Sequence, residues 1–279
     1  MQNIREYVMK SDFFIKVPQA PVNRYVELIW VARGGSDATP SKVLPNGVVE
    51  LIINLGDRQK IIDRDNPSKI HSYNKCWIAG LQHSYIIIQS QTDTNLVGIR
   101  FRPGGAFPFF GLPMSELSDQ VLEHDLVLRW QIESLRDELW HAASADRQFA
   151  IIEQFLLNRF PFHYSHHPAV SFLLHAFSRR EPIHISDHIR RTGYSHKHIA
   201  ALFHRHVGTT PKYLVRIARF QQAIRLIKDI PVDWQDITHT LHYYDQSHLI
   251  ADFRLFAGCT PSHYLRTRTF DVNHCITEV

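Results

Sequence analysis

Histidines crowd one short stretch of the chain and raise the question of metal chemistry. His196, His198, His204 and His206 fall within eleven residues. A structural zinc site needs a compact set of four ligands, usually with cysteines among them, and no cysteine pair accompanies these histidines. We therefore expect His196 and His204 to point outward, and His198 and His206 to be partly buried or solvated.

The amino-terminal half offers two weaker candidates for chemistry. His71 and His83 stand twelve residues apart, with Glu50 elsewhere, and this set falls short of the ligands that a catalytic metal needs. Arg102-Pro-Gly-Gly-Ala106 lacks the lysine and the glycine spacing of a phosphate-binding loop and is predicted to be a tight turn. We predict that the protein is not an enzyme and uses no metal and no cofactor.

The histidine-rich stretch nearly repeats itself fifty residues later. Six positions recur at this offset: His198, Ala201, Phe203, Gly208, Thr210 and Pro211 return as His248, Ala251, Phe253, Gly258, Thr260 and Pro261. Self-similarity at a fixed period indicates two copies of one structural unit.

Each copy is typical of a helix-turn-helix unit. In the first, a short helix from about Ile185 to Arg191 ends before Gly193, and Ser195 can cap the helix that follows. In the second, Asp233 and Asp245 are the predicted caps.

A longer helix, predicted from Pro211 to Lys228, joins the copies, and proline fits its first turn. Its inward-facing positions are predicted to be Leu214, Ile217, Ile224 and Ile227. At about 1.5 Å per residue this helix is roughly 26 Å long. With the helices at its ends, it approaches the spacing of major grooves one turn apart, roughly 34 Å.

This arrangement resembles the DNA-binding domain of the AraC/XylS-type transcription regulators. The residues that carry the resemblance are Gly193-Tyr194-Ser195, Phe203, Gly208-x-Thr210-Pro211, Tyr213-Leu214, Arg219-Phe220-Gln221-Gln222-Ala223, Tyr243-Tyr244-Asp245-Gln246-Ser247-His248, Phe253-Arg254 and Gly258-x-Thr260-Pro261. The resemblance implies two helix-turn-helix units, each placing a recognition helix in a major groove of double-stranded DNA.

The resemblance also implies which residues touch DNA. Its base-reading positions fall on Lys197, Ala200, Ala201, Gln246, Ser247, His248 and Ala251. We place His196 and His204 near DNA. The candidates for phosphate contact are Arg190, Arg191, Lys197, Arg205, Lys212 and Arg254. Alanine can touch a thymine methyl group but cannot hydrogen-bond a base edge, so we expect modest sequence specificity or a binding mode that uses only part of each helix.

One departure from the family concerns the second turn. His242 stands where the family has glycine, and a positive φ there would strain a histidine.

Charge and composition agree with a nucleic-acid partner. From Ser165 onward the chain holds 14 Lys and Arg against 9 Asp and Glu, whereas the remainder holds 17 against 18. A phosphate-binding face requires such an excess of positive charge. Three distant cysteines, no long apolar run and no signal-peptide pattern favour a cytoplasmic protein without a membrane partner.

The first hundred residues are predicted to be β-rich. Strand patterns cover Arg24–Arg33, Val48–Leu55 and further short segments up to Arg102, and turns between them indicate a small barrel or sandwich. The polar segment Arg58–Tyr73 is expected to be a loop or a hairpin. Glu50 and Arg100 could face a ligand cavity, although solvation or mutual pairing is the favoured interpretation.

This half resembles the cupin-like amino-terminal domain found ahead of some AraC-type DNA-binding domains. The motifs are Leu44-Pro45-Asn46-Gly47, Glu50-Leu51-Ile52-Ile53-Asn54-Leu55 and Gly98-Ile99-Arg100-Phe101-Arg102-Pro103-Gly104-Gly105. The resemblance implies sensing or dimerisation.

A helical extension follows the β-rich part. The pattern from Ser115 to Arg159, including Val121 and Leu122, predicts two or three helices, and Pro161–Pro168 is predicted to be a linker. Whether these helices dimerise or only cover their own barrel stays open. The tail after Phe270 is expected to fray.

The predicted fold class is therefore α+β. Residues 1–160 form a β-rich, cupin-like barrel with a helical extension, and residues 166–270 form an all-α domain of two helix-turn-helix units joined by a helix. We expect a sequence-specific transcription regulator of the AraC type, modulated through its amino-terminal domain. By resemblance its partners include RNA polymerase, while a small-molecule effector and a homodimer remain open.

Two alternatives remain. The first is a protein-interaction or sensor protein whose helix-turn-helix domain is degenerate and does not bind DNA. The second is a ligand-binding barrel with residual enzymatic activity.

Overall fold

Short strands rich in branched and aromatic residues build the amino-terminal part of the protein. The structure, a computed structural model, describes residues 11–35, 39–90, 93–123, 132–178, 184–227, 232–268 and 274–276. The strands are Ser11–Lys16 (β1), Val26–Gly35 (β2), Ser41–Val43 (β3), Glu50–Asn54 (β4), Gln59–Ile62 (β5), Ile70–Tyr73 (β6), Cys76–Ala79 (β7), Ile86–Gln89 (β8), Asp93–Phe101 (β9), Val121–Glu123 (β10) and His274–Ile276 (β11).

These strands form two antiparallel sheets. One has six strands in the order β1-β2-β9-β4-β7-β10, and the other has five in the order β11-β3-β8-β5-β6. The segment predicted as a loop or hairpin is the β5–β6 hairpin, with Gln59 opposite Tyr73. Glu50 and Arg100 lie opposite each other on β4 and β9, and their side chains form an ion pair of 2.5 Å, as the pairing interpretation expected.

Ten α-helices, and two short 3-10 helices at Val22–Arg24 and Met114–Glu116, follow or interrupt the strands in the described residues. The α-helices are Phe107–Phe110 (α1), Ile132–Trp140 (α2), Ala145–Asn158 (α3), Pro168–Ser178 (α4), Ile185–Arg191 (α5), His196–His206 (α6), Pro211–Leu226 (α7), Trp234–Thr240 (α8), Gln246–Ala257 (α9) and Pro261–Thr267 (α10). The predicted fold class, a β-rich amino-terminal part followed by an all-α part with two helix-turn-helix units, is confirmed.

Two large hydrophobic cores and one small cluster, formed by Ile52, Tyr73 and Trp77, stabilise the part of the chain that the structure describes. In the first, the six-stranded sheet buries residues such as Ile29, Leu51 and Ile99 against α2 and α3, which contribute Leu139 and Ile152. Burial of apolar surface of this kind is the main driving force of folding.

The second core holds the helical part together. Its buried residues run from Ala169 to Tyr264 and include all four positions predicted to face inward on the joining helix, together with Leu44 and Leu81 from the β-rich part. The amino-terminal part therefore contributes to the core of the helix-turn-helix domain.

Two expectations about the chain's ends and extension were wrong. Val121 and Leu122 lie in β10 rather than in a helix, because their backbone pairs with β7 at the sheet edge. The tail does not fray throughout: His274–Ile276 pairs antiparallel with β3, with Cys275 opposite Lys42. In both places, pairing with a strand distant in sequence overrides the local pattern.

Candidate nucleic-acid interface

The first recognition helix, α6, presents a polar outer face. The Ser195 hydroxyl accepts a hydrogen bond of 3.2 Å from the His198 N–H and caps the helix. Ile199 and Phe203 are buried on the inner face. The predicted contact residues His196, Lys197, Ala201, His204 and Arg205 are exposed, and Ala200 is half-buried. His198 is exposed, as expected for a solvated side chain, whereas His206 is buried rather than partly buried or solvated, because it packs against Phe107 and Tyr164.

The second recognition helix, α9, repeats this arrangement. The Asp245 carboxylate accepts a hydrogen bond of 2.8 Å from the His248 N–H. Leu249, Phe253 and Phe256 are buried. The predicted contact residues Gln246, Ser247, Ala251 and Arg254 are exposed, and His248 is half-buried.

The joining helix, α7, begins beside the first recognition helix. Thr210 caps it by accepting a hydrogen bond of 3.2 Å from the Tyr213 N–H. Lys212 is exposed in the first turn. Together with His196 and Ala200 it borders a cleft of about 620 Å³ between α5, α6 and α7. The structure therefore brings these three predicted contact residues to one place.

The β-rich part contacts the helix-turn-helix domain just beyond the first recognition helix. Ser118 Oγ donates a hydrogen bond of 2.6 Å to the Gly208 carbonyl. His83 links the two parts, because its Nδ1 lies 2.7 Å from Asp119 and its Nε2 lies 2.9 Å from the hydroxyl of buried Thr209. Burial alone would raise the pKa of Asp119, but the hydrogen bonds from His83 outweigh it and lower this pKa.

A similar contact is made at the end of the second recognition helix. The Ser84 hydroxyl donates a hydrogen bond of 2.7 Å to the Leu255 carbonyl, and a Cβ placed on Gly258 would lie 2.4 Å from the Tyr85 ring. The β-rich part thus touches both recognition helices at their carboxyl-terminal ends, away from the capped ends where the predicted base contacts begin.

A half-buried histidine, His166, and a buried one, His206, lie close together where the predicted linker meets the end of α6. The Tyr164 hydroxyl is 3.0 Å from His166 Nδ1 and 2.9 Å from His206 Nδ1. A hydroxyl has one proton to donate, so it donates to one neutral ring and accepts from the other. Burial lowers the pKa of His166 to about 4, and His206 and Arg24 act in the same direction. Burial also lowers the pKa of His206.

This pair predicts a loss of stability in acid. The pKa of His166 is about 4 in the folded protein against an ordinary value of 6.5, so the unfolded chain binds the proton more tightly. The contribution of His166 to stability is complete above pH 6.5 and falls as the pH drops towards 4, by at most about 1.4 kcal/mol per pH unit. We expect the free energy of unfolding, measured with urea between pH 7 and pH 4.5, to fall less steeply in His166→Gln. Parallel curves for the two proteins would contradict this.

The turn of the second helix-turn-helix unit has the strained backbone that the sequence analysis considered for His242. His242 has φ of +53°, a conformation that costs a non-glycine residue of order 1 kcal/mol. Its carbonyl accepts a hydrogen bond of 3.4 Å from Arg219.

Some residues of this site escaped the sequence analysis. The sequence marks His83 only as a weak candidate for a metal ligand and gives no signal for Asp119, because the partners of both lie in distant segments. Asp252 did give one: it is a charged residue three positions after Leu249, on the apolar face of α9, and it is fully buried.

The described residues support neither a metal site nor a membrane-spanning helix. Within the described ranges, no group of three or more His, Cys, Asp or Glu side chains is placed to hold a metal ion. None of the described helices has the length and apolar character needed to cross a membrane.

Two family models match the chain. A model described as a helix-turn-helix domain matches residues 189–267, which run from the last turn of α5 through α10. A model described as a domain of unknown function, DUF6597, matches residues 16–123, which span most of both sheets. No functionally curated protein matches the chain significantly.

Solved structures that are similar to this protein include ToxT from Vibrio cholerae. ToxT from strain O395 is 12% identical, with a TM-score of 0.46 over 91% of this chain and 97% of that one. An apo single-residue variant of ToxT from strain SCE256 is 11% identical, with a TM-score of 0.45 over 85% and 97%. Values this low establish neither a ligand nor a function.

Proposed function

Residues 189–267 form an AraC-type helix-turn-helix domain, and from this premise we propose that the protein is a sequence-specific, DNA-binding transcription regulator modulated through its amino-terminal domain. One observation carries the proposal. The predicted contact faces of α6 and α9 stay accessible while the β-rich part is attached at the other ends of these helices.

Phosphate binding is proposed for the cations around the two faces. Arg190, Arg191, Arg205, Lys212 and Arg254 are all exposed. Cations of this kind displace counterions from the DNA backbone and position the protein, whereas base contacts supply specificity. We assign base contacts to Lys197, Gln246, Ser247 and His248, and methyl contacts to the three alanines.

Regulation through the amino-terminal domain is proposed because its side chains reach into the helical core. Leu44 and Leu81 belong to that core, and Gln221 of α7 donates a hydrogen bond of 2.8 Å to the Pro45 carbonyl. A structural change in the β-rich part would therefore alter the contacts of the joining helix. We propose boundaries at residues 160 and 166, a cytoplasmic location and contact with RNA polymerase. A small effector and a homodimer are further proposals.

An alternative function is that of an interaction protein whose helix-turn-helix domain no longer binds DNA. The strained turn at His242 and the alanines at base-reading positions favour it. The two functions differ in one simple measurement, because only a DNA-binding domain binds duplex DNA with an affinity that falls steeply with salt.

The test is a titration of the full chain with duplex DNA at several salt concentrations. We expect the logarithm of the binding constant to fall linearly with the logarithm of the salt concentration, with a slope of about −0.9 per neutralised phosphate. Lys197→Ala combined with Gln246→Ala should weaken binding to a selected duplex by at least about 30-fold, since each of the two base contacts contributes about 1–3 kcal/mol.

Two controls make this result specific. The double variant should keep the wild-type unfolding midpoint, because both side chains are exposed. Lys75→Ala, an exposed change just before β7 whose carboxylate partner is Glu133 of α2, should leave DNA affinity unchanged. Wild-type affinity in a well-folded double variant would contradict the assigned contacts, and no duplex binding at low salt would favour the alternative.

A further inference from the structure

A buried charge lies beneath the second recognition helix. Asp252 is fully buried on the inner face of α9, next to Leu249, Phe253 and Phe256. The first unit has Leu202 at the equivalent position, fifty residues earlier. The two recognition helices therefore rest on the domain in different ways.

Both arginine partners of this carboxylate come from the joining helix, and the Tyr243 side chain also interacts with it. Arg216 Nε lies 2.6 Å from Asp252 Oδ1, and Arg219 Nη2 lies 3.9 Å from Oδ2. The guanidinium of Arg216 also lies 5.4 Å from the centre of the Phe256 ring. A hydrogen-bonded ion pair is directional, whereas contacts between aliphatic side chains allow sliding and rotation.

One of these arginines also connects this charge to the outer face of α9. The Arg219 guanidinium lies 4.3 Å from the centre of the Tyr243 ring, and that ring meets the His248 ring edge-on at 5.4 Å. His248 is one helical turn before Asp252, so the two side chains lie on neighbouring positions of the helix surface. A chain of contacts thus runs from the buried carboxylate to a residue assigned to base contact.

Burying the Asp252 carboxylate is a poor way to gain stability. It is fully removed from water, whereas the Arg216 and Arg219 side chains stay partly exposed. Removing a charge from water costs several kcal/mol, and an apolar replacement is often as stable or more stable. The first unit uses such an apolar residue. An ion pair at this place in the second unit is better explained by the geometry that it fixes.

We propose that Asp252 is a positioning residue for DNA readout: its two arginine partners fix the rotation of α9 against α7, and this rotation determines which base edges the outer face of α9 reaches. This inference rests on the proposed DNA-binding function. Side-chain ends lie roughly 5–6 Å from a helix axis, so a turn of about 20° moves them by roughly 2 Å. Hydrogen bonds to bases do not survive such a shift.

The experiment compares base-by-base discrimination. Wild-type protein first selects a duplex from a random library about 24 bp long, enough for two major-groove contacts one turn apart, and its affinity is then measured for every single-base-pair substitution of that duplex. Gln246→Ala marks the base pairs read by α9, and Lys197→Ala marks those read by α6. We expect Asp252→Asn to lose at least about tenfold discrimination, the value of one base contact, at the pairs marked by Gln246→Ala and to keep it at those marked by Lys197→Ala.

A rescue variant separates positioning from general stability. In Arg216→Gln with Asp252→Asn, a neutral amide pair replaces the ion pair, and we expect discrimination at the α9 base pairs to recover by several-fold. Should Asp252→Asn fail to fold, Arg216→Lys takes its place: it keeps the charge but removes the planar guanidinium, and the same position-specific loss is expected.

The outcomes separate the proposed DNA binding from the positioning role of Asp252. Selection of no duplex by the wild type overturns the proposed function and this inference with it. An unchanged discrimination profile in folded Asp252→Asn or Arg216→Lys, or an equal loss at all base pairs, overturns the inference alone.

Discussion

Gly208→Ala is expected to destabilise the protein by about 2–5 kcal/mol and to loosen the attachment of the β-rich part to the first helix-turn-helix unit. Gly208 has φ of +96°, and an added Cβ would lie 2.8 Å from Ser118 Oγ and 3.0 Å from the Met114 carbonyl oxygen. The backbone conformation costs a non-glycine residue about 1–2 kcal/mol, and overpacking costs about 1–3 kcal/mol more. The Met114 contact cannot be relieved by a side-chain rotation, since it involves the backbone.

Gly193→Ala is the matched control for this change. Gly193 follows α5 with φ of +76°, but an added Cβ would meet nothing within 4 Å. It therefore carries the backbone strain without the clash, and we expect a loss of about 1–2 kcal/mol. Urea unfolding of both variants, followed by tryptophan fluorescence and circular dichroism, measures the difference. Equal losses would show that the contact with Met114 and Ser118 contributes nothing.

This comparison also explains why the repeated glycine is needed at both places. Gly208 and Gly258 are equivalent in the repeat, and each lies against a different segment of the β-rich part, Met114–Ser118 and Tyr85 respectively. The repeat is visible in the sequence. The sequence does not reveal that the β-rich part contacts the same position, the glycine after the recognition helix, in both units.

Local signals explain what could be predicted. Ser195, Asp233 and Asp245 were predicted as caps, and each accepts hydrogen bonds from the first turn of its helix, because a cap depends only on residues within a few positions. The helix predicted to join the two units begins at Pro211 as expected, and the observed α7 ends at Leu226.

Contacts between distant segments explain what could not be predicted. β10 and β11 form because their backbones pair with strands β7 and β3. Segments this short carry no periodicity that would predict the pairing. His83 reaches Thr209 across 126 residues of sequence. The DNA-contact residues assigned from the resemblance stay a prediction until binding is measured.

Phe253→Ala is expected to cost about 3–5 kcal/mol, the largest effect of any substitution proposed for this protein. Phe253 is fully buried, and its ring meets Phe220 of the joining helix at 5.1 Å and Tyr264 of α10 at 5.6 Å. Phe203→Ala, the equivalent change in the first unit, should cost a similar amount. Phe172→Ala is the control, because this side chain is 41% exposed and should change stability by less than about 1 kcal/mol.

The repeat makes the manner of unfolding as informative as its size. Two copies of one unit suggest two independent folding units, but Phe203 and Phe253 belong to one continuous core that runs through α7. We therefore expect hydrogen exchange to accelerate in both α6 and α9 when either phenylalanine is removed, and DNA binding to be lost in both variants together. Protection of α6 that survives Phe253→Ala would show that the units fold separately, and the joining helix would then be a spacer rather than the centre of a shared core.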